Sequence, residues 1–137
     1  MRVAITGATG LIGQALIESL ARDGHAAVRL TRTPRQPDDV AFDPARRLLD
    51  PAALGGIDAM VHLAGEPIAQ RWNSTVQRRI RESRVQGTRL VAETLASLDA
   101  APAVLVSGSA VGYYGDRGDE VLTEASAPGS DFLAEVT

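Results

Sequence analysis

The sequence has no lysine and no cysteine: all 14 of its basic side chains are arginine. The arginine-only set, together with abundant alanine, reads as the mark of a GC-rich bacterial genome, but it leaves the chain without any ammonium side chain for chemistry. The lack of cysteine fits a reducing compartment. There are only two histidines, His25 and His62, and no H-x-x-x-H spacing, so a metal site has no support. No apolar run approaches the ~20 residues that cross a bilayer, and Met1-Arg2 runs straight into an apolar strand with no room for a signal peptide. A net charge of -3 argues against general nucleic-acid binding. What remains is one domain, residues 1–137, with 45% hydrophobic residues to bury. The expectation is a soluble, cytoplasmic protein without membrane or nucleic-acid partners.

What is present is concentrated at the start. Val3-Ala4-Ile5-Thr6 reads as a strand, Gly7, Gly10 and Gly13 follow at G-x-x-G-x-x-G spacing, and an apolar-periodic run then opens a helix. Gly7 permits a sharp turn off the strand at φ values that a Cβ resists. Gly10 leaves room for a pyrophosphate to approach the backbone, and Gly13 lets the helix pack against the strand. The unpaired first amides of that helix, at the positive end of its dipole, would face the phosphates. A second strand about 20 residues on completes the context that a dinucleotide-binding turn requires.

The helix is expected to bury Leu11, Ala15, Leu16, Leu20 and Ala21 and to end at Asp23-Gly24. Ala26–Thr31 is the second strand. An Asp or Glu at its end would take both ribose hydroxyls of NAD, whereas a cation would suit the 2′-phosphate of NADP. The chain has Thr31-Arg32-Thr33-Pro34-Arg35, so NADP(H) is favoured over NAD(H), with Arg32 as the phosphate ligand and Arg35 as a second candidate. Val40–Phe42 reads as a brief third strand, and a turn or short helix falls near Pro51–Leu54. Asp43 stands either as an adenine neighbour or as a turn residue. The fourth strand lies within Asp58–Gly65, where the small Ala64 and Gly65 would let a cofactor ribose lie on the backbone and His62 reads as a core residue. Residues 66–100 read as a long helical region with Val76, Ile80, Gly87, Val91, Leu95 and Leu98 on its inner face. Arg78, Arg79, Arg81, Arg84 and Arg89 would form a solvated or dimer-facing surface. Ala103–Val106 is the fifth strand, and a turn-rich segment runs from Asp116 to the end. Strands joined by helical or long connections, with no hairpin signal, give a doubly wound parallel α/β sheet of the Rossmann type, with order 3-2-1-4-5. The candidate cofactor contacts are Thr6, Gly7, Thr9, Gly10, Leu11, Ile12, Gly13, Arg32, Leu63, Ala64 and Gly65.

Four segments carry a family likeness: 5–13 (Ile-Thr-Gly-Ala-Thr-Gly-Leu-Ile-Gly), 62–68 (His-Leu-Ala-Gly-Glu-Pro-Ile), 83–88 (Ser-Arg-Val-Gln-Gly-Thr) and 107–115 (Ser-Gly-Ser-Ala-Val-Gly-Tyr-Tyr-Gly). Over its whole length the chain resembles the atypical extended short-chain dehydrogenase/reductases of the YfcH type, also called epimerase-family or SulA-like proteins. The resemblance implies NADP binding, an unknown small-molecule substrate, and a homodimer face on the 76–98 helix. It also implies that the chain is the amino-terminal portion of a protein about twice as long, lacking the last strands and the substrate domain. Active extended members place a Ser after the fifth strand and a Tyr-x-x-x-Lys on the next helix, the Lys lowering the Tyr pKa from ~10. Ser109 falls on that Ser, but Phe132 and Val136 fall on the Tyr and Lys, and Arg84 replaces the usual Asn before Val-x-Gly-Thr. The standard relay is therefore absent. Either Tyr113 or Tyr114 replaces the acid, with Ser109 and an arginine, or both tyrosines only pack the loop and the fold is a non-catalytic NADP(H) sensor or scaffold. A third nucleotide, S-adenosylmethionine, would want an acid at the end of the second strand.

Overall fold

A computed structural model describes all residues, Met1–Thr137. Five parallel strands form one sheet in the order β3-β2-β1-β4-β5, with β1 Arg2–Thr6, β2 Ala26–Thr31, β3 Val40–Ala41, β4 Ala59–His62 and β5 Val104–Ser107. The helices are α1 Leu11–Arg22, α2 Ser74–Ala96 and the short α3 Phe132–Val136, with 3-10 turns at Pro44–Arg46, Pro51–Leu54 and Val111–Tyr114. The expected order 3-2-1-4-5 is the observed one. After β3 the chain returns to the far side of β1, so the sheet reverses direction of growth between β1 and β4. A crevice at the carboxyl ends of these two strands is where ligands sit in open α/β sheets.

Alternation along the strands divides the core between the two faces of the sheet. Ala4, Val28, Leu30 and Met60 join Phe42, Leu54, Leu90, Val91 and Leu95 under α2. Val3, Ile5 and Ala59 turn the other way and meet Leu16, Ile17 and Leu20 of α1. The inward stripe of α1 is thus Gly13, which is buried, with the half-buried Leu16, Ile17 and Leu20; Leu11, Ala15 and Ala21, expected inside, are exposed. The reason is rotational: with 3.6 residues per turn, Gly13, at which the helix touches the turn, sets the inward face, and Leu11 falls outside it.

Helix α2 starts at Ser74 and not near Glu66. Asn73 caps it by accepting from the Val76 amide at 2.9 Å, and Glu66–Trp72 is an irregular loop held by Trp72 Nε1 donating to Ile68 O at 2.8 Å. Pro67 and this local bonding outweigh the helix-forming composition of the segment. Val76, Ile80, Gly87, Leu90, Val91, Thr94 and Leu95 form its buried face. β5 lies one residue later than expected and is exposed along its whole length, Val106 at 52%. No helix is long and apolar enough to cross a membrane.

Candidate nucleotide-binding site

The site begins where β1 stops. Gly7 has φ +68, and a Cβ there would stand 2.8 Å from the Leu63 carbonyl carbon, so both conformation and contact require glycine. A Cβ on Gly13 would overlap the Gly7 carbonyl oxygen and lie 2.9 Å from the Ala8 Cα. Between them Gly10 is the N-cap of α1, with no side chain capping the helix and no acidic residue in its first turn. The first amides of α1 and the positive end of its dipole therefore meet no capping side chain or acidic group of the helix at the carboxyl end of β1. Leu11 and Ile12 project outward there, Leu11 at 90% exposure.

Thr6 was a candidate contact, but its side chain is wholly buried and spent within the protein. Its Oγ1 accepts from the Leu63 amide at 3.0 Å and the Ala64 amide at 3.1 Å, and lies 2.7 Å from His62 Nδ1. A threonine hydroxyl has one proton and two lone pairs. With both lone pairs taken by amides, its proton goes to Nδ1, so His62 is neutral and carries its hydrogen on Nε2. Burial pushes the His62 pKa below its ordinary 6.5. His62 packs edge-on to Phe42 at 6.1 Å and against Gly87 of α2. It is the core residue expected, and it acts with Thr6 as a clasp that shapes the Leu63–Gly65 turn beside Gly7. This bond joins residues 56 apart, and no local motif announces it.

The next shell of this turn comes from α2. Ser83 Oγ accepts from the Glu66 amide at 2.9 Å and donates to Ile80 O at 3.0 Å. Arg84, expected on a solvated arginine surface, is half-buried instead: Nη1 donates to Glu66 O at 3.0 Å, and the guanidinium carbon stands 3.3 Å from the place of a Gly65 Cβ. Gly65 is small because an arginine lies on it. The remaining arginines of α2 do face outward, Arg79 toward Glu66 at 3.6 Å and Arg78 toward Glu82 at 4.0 Å.

On the other side, Thr9, Gln14, Glu18, Arg29, Arg32 and Arg35 line a cleft of about 730 Å³ between α1 and the loop after β2. Arg32 and Arg35 are both exposed there. Asp43, by contrast, accepts from the Ala45 and Arg46 amides and caps a 3-10 turn, which is the turn role.

The candidate catalytic groups are less gathered. Ser109 follows β5 and is exposed, and no hydrogen bond joins its hydroxyl to Tyr113 or Tyr114. The two tyrosine rings pack edge-to-face at 5.1 Å in the 3-10 turn beside α3. Phe132 is held by Trp72 at 5.5 Å and lies under the Arg81 guanidinium, while Val136 is buried with Val76 and Ile80. Phe132 and Val136, expected at the Tyr and Lys positions, thus pack α3 onto α2. No three His, Asp or Glu side chains converge to hold a metal.

The model of the NAD dependent epimerase/dehydratase family matches residues 3–134. The chain belongs to this family. It is 39% identical over 136 residues to the epimerase family protein Mb2239 of Mycobacterium bovis, covering 98% of this chain and 44% of that protein. Among solved structures it superposes with TM-score 0.85 on a nucleoside-diphosphate sugar epimerase from Corynebacterium glutamicum, at 44% identity over 99% of this chain and 28% of that one. It reaches the same TM-score of 0.85 on human epimerase family protein SDR39U1, solved with NADPH, at 32% identity over 99% of this chain and 46% of the human one. The chain therefore spans less than half the length of the relatives it matches. Its fold is the nucleotide-binding Rossmann-type fold of this family.

Proposed function

We propose that this chain forms the NADP(H)-binding part of an oxidoreductase or epimerase-like protein acting on a small molecule. Gly7–Gly13 take the pyrophosphate, Leu63–Gly65 the ribose next to it, and Arg32, backed by Arg35, the 2′-phosphate. The observation that carries the reading is the cleft beside Thr9, where Arg32 and Arg35 stand exposed and the carboxylate of Asp39 is occupied by Arg29 and backbone amides. A planar guanidinium fork suits a phosphate, and the end of β2, Thr31-Arg32-Thr33-Pro34-Arg35, carries no acid to take the ribose hydroxyls as in NAD-selective sites. The NADPH recorded with the human relative adds to this support.

Bound NADP(H) would supply a hydride donor or acceptor. The chain's own part is to hold the pyrophosphate on amides and to keep the ribose turn rigid through Thr6, His62 and Arg84. Ser109, on the exit of β5, would orient a substrate oxygen, and Tyr113 or Tyr114 would give or take its proton. Replacing Arg32 with alanine should weaken NADPH about tenfold or more and leave NADH within about threefold, the loss expected for one charge-assisted pair. Equal effects on the two cofactors would remove Arg32 from the site.

A second reading, a non-catalytic NADP(H) sensor or scaffold, is favoured by Phe132 and Val136 being committed to packing. Single-turnover oxidation of bound NADPH against a carbonyl panel separates the two. Turnover that is unchanged by Ser109→Ala would remove that serine from the chemistry.

A further inference from the structure

The loop that carries Arg32 and Arg35 is organised by one side chain. Asp39, just before β3, has a carboxylate only 5% exposed. Its Oδ2 accepts from the Arg35 amide at 2.8 Å and the Gln36 amide at 3.0 Å. Its Oδ1 accepts from Arg29 Nε at 2.8 Å, and Arg29 Nη2 lies 2.6 Å away. The Asp39 amide in turn donates to Gln36 O at 3.0 Å, closing the loop on itself. The Arg35 amide first, with the Gln36 amide and the Arg29 guanidinium, holds this carboxyl below the usual carboxylate range against the opposing cost of burial.

This arrangement bears on the cleft in two ways. An acid lining this cleft would ordinarily repel a phosphate and compete for ribose hydroxyls. Here both carboxylate oxygens are turned to protein donors and its charge is met by Arg29, so neither effect is available to it. At the same time its bonds fix the backbone of residue 35, and with it the edge of the cleft that Arg32, Arg35 and Gln36 line.

We propose that Asp39 is a positioning residue for NADP(H) selectivity: by binding the Arg35 and Gln36 amides and the Arg29 guanidinium, it holds the loop that presents Arg32 and Arg35 to the 2′-phosphate. The proposal rests on the NADP(H) reading above and deepens it. It also makes a prediction opposite in sign to simple electrostatics. Removing a negative charge beside a phosphate site should tighten the phosphate if charge alone mattered. Removing the organiser of the loop should loosen it.

The test is binding of adenosine 2′,5′-bisphosphate and of 5′-AMP to the purified protein and to Asp39→Ala, which removes both the amide acceptors and the charge, with NADPH and NADH as a second pair. The expected result is about tenfold weaker binding of the 2′-phosphorylated member of each pair, with its partner changed by less than about threefold. Equal weakening of both members would make Asp39 a general scaffold residue, and tighter binding of the phosphorylated ligands would leave only its charge. Either result overturns the proposal. Arg29→Gln, which leaves both amide bonds of Asp39 intact, guards against a variant that does not fold. It should also reduce selectivity, and should add nothing further in the Asp39→Ala background if Arg29 acts through Asp39. An additive effect of Arg29→Gln would instead place Arg29 directly on the phosphate and contradict the proposed route. If the unaltered protein does not distinguish adenosine 2′,5′-bisphosphate from 5′-AMP, the NADP(H) reading itself fails, whatever the variants do.

Discussion

Thr6 illustrates how much one hydroxyl can organise. It stands at the end of β1, satisfies two amides of the neighbouring strand's exit and fixes the tautomer of His62. Thr6→Val keeps the shape and removes all three bonds, leaving buried donors and an acceptor unpaired. A loss of about 3 kcal/mol in denaturant unfolding is expected, with Thr6→Ser retaining most of the stability. The same clasp gives a pH dependence. The folded-state pKa of His62 lies below its unfolded value of 6.5, so its contribution is fully present above pH 6.5 and is lost as pH falls toward the folded value. Over that window the unfolded chain binds the additional proton, and stability should fall by up to about 1.4 kcal/mol per pH unit. His62→Gln should flatten this part of the profile in unfolding titrations. A His62→Gln profile with an unchanged slope would remove His62 as its source. Neither role could be read from residue type alone. A threonine ending a strand is common, and its partners lie 56 to 58 positions away in sequence.

At the scale of the element, the β1–α1–β2 unit was legible in the sequence. Gly7 and Gly24 both have positive φ, and such glycines punctuate a chain in ways that composition makes visible. β2 was expected at Ala26–Thr31 and is found there. The start of α2 was not legible, because Ala69, Gln70 and Arg71 are good helix formers and only the Asn73 cap and the Trp72 bond keep them out of the helix. The role of Arg84 was hidden for a similar reason. Five arginines on one helix look alike until the fold brings Gly65 beneath one of them. Gly13 ties the element to the site. Gly13→Ala would press a methyl group into the Gly7 carbonyl, and should cost about 3 kcal/mol and displace the turn, so that nucleotide binding and stability fall together.

Across the whole molecule, the two ends of the sheet differ. β3 is only two residues long and half-buried, whereas β5 pairs only with β4 and leaves Val104, Leu105 and Val106 at 47%, 40% and 52% exposure. An apolar strand with a free edge is a template for pairing with another chain. This 137-residue chain on its own should therefore self-associate at high concentration, and Val106→Lys should suppress that in light scattering without changing cofactor affinity. Self-association untouched by this change would locate the contact elsewhere, for example on the outer face of α2.

The proposed NADP(H) selectivity rests on the glycine turn at the end of β1 together with the arginine-lined cleft between α1 and the loop after β2. The most direct measurement is calorimetric titration of the purified protein with NADPH and with NADH in the same low-salt buffer. Saturable binding of both is expected, with NADPH at least about tenfold tighter. Equal affinity, or a preference for NADH, would contradict it.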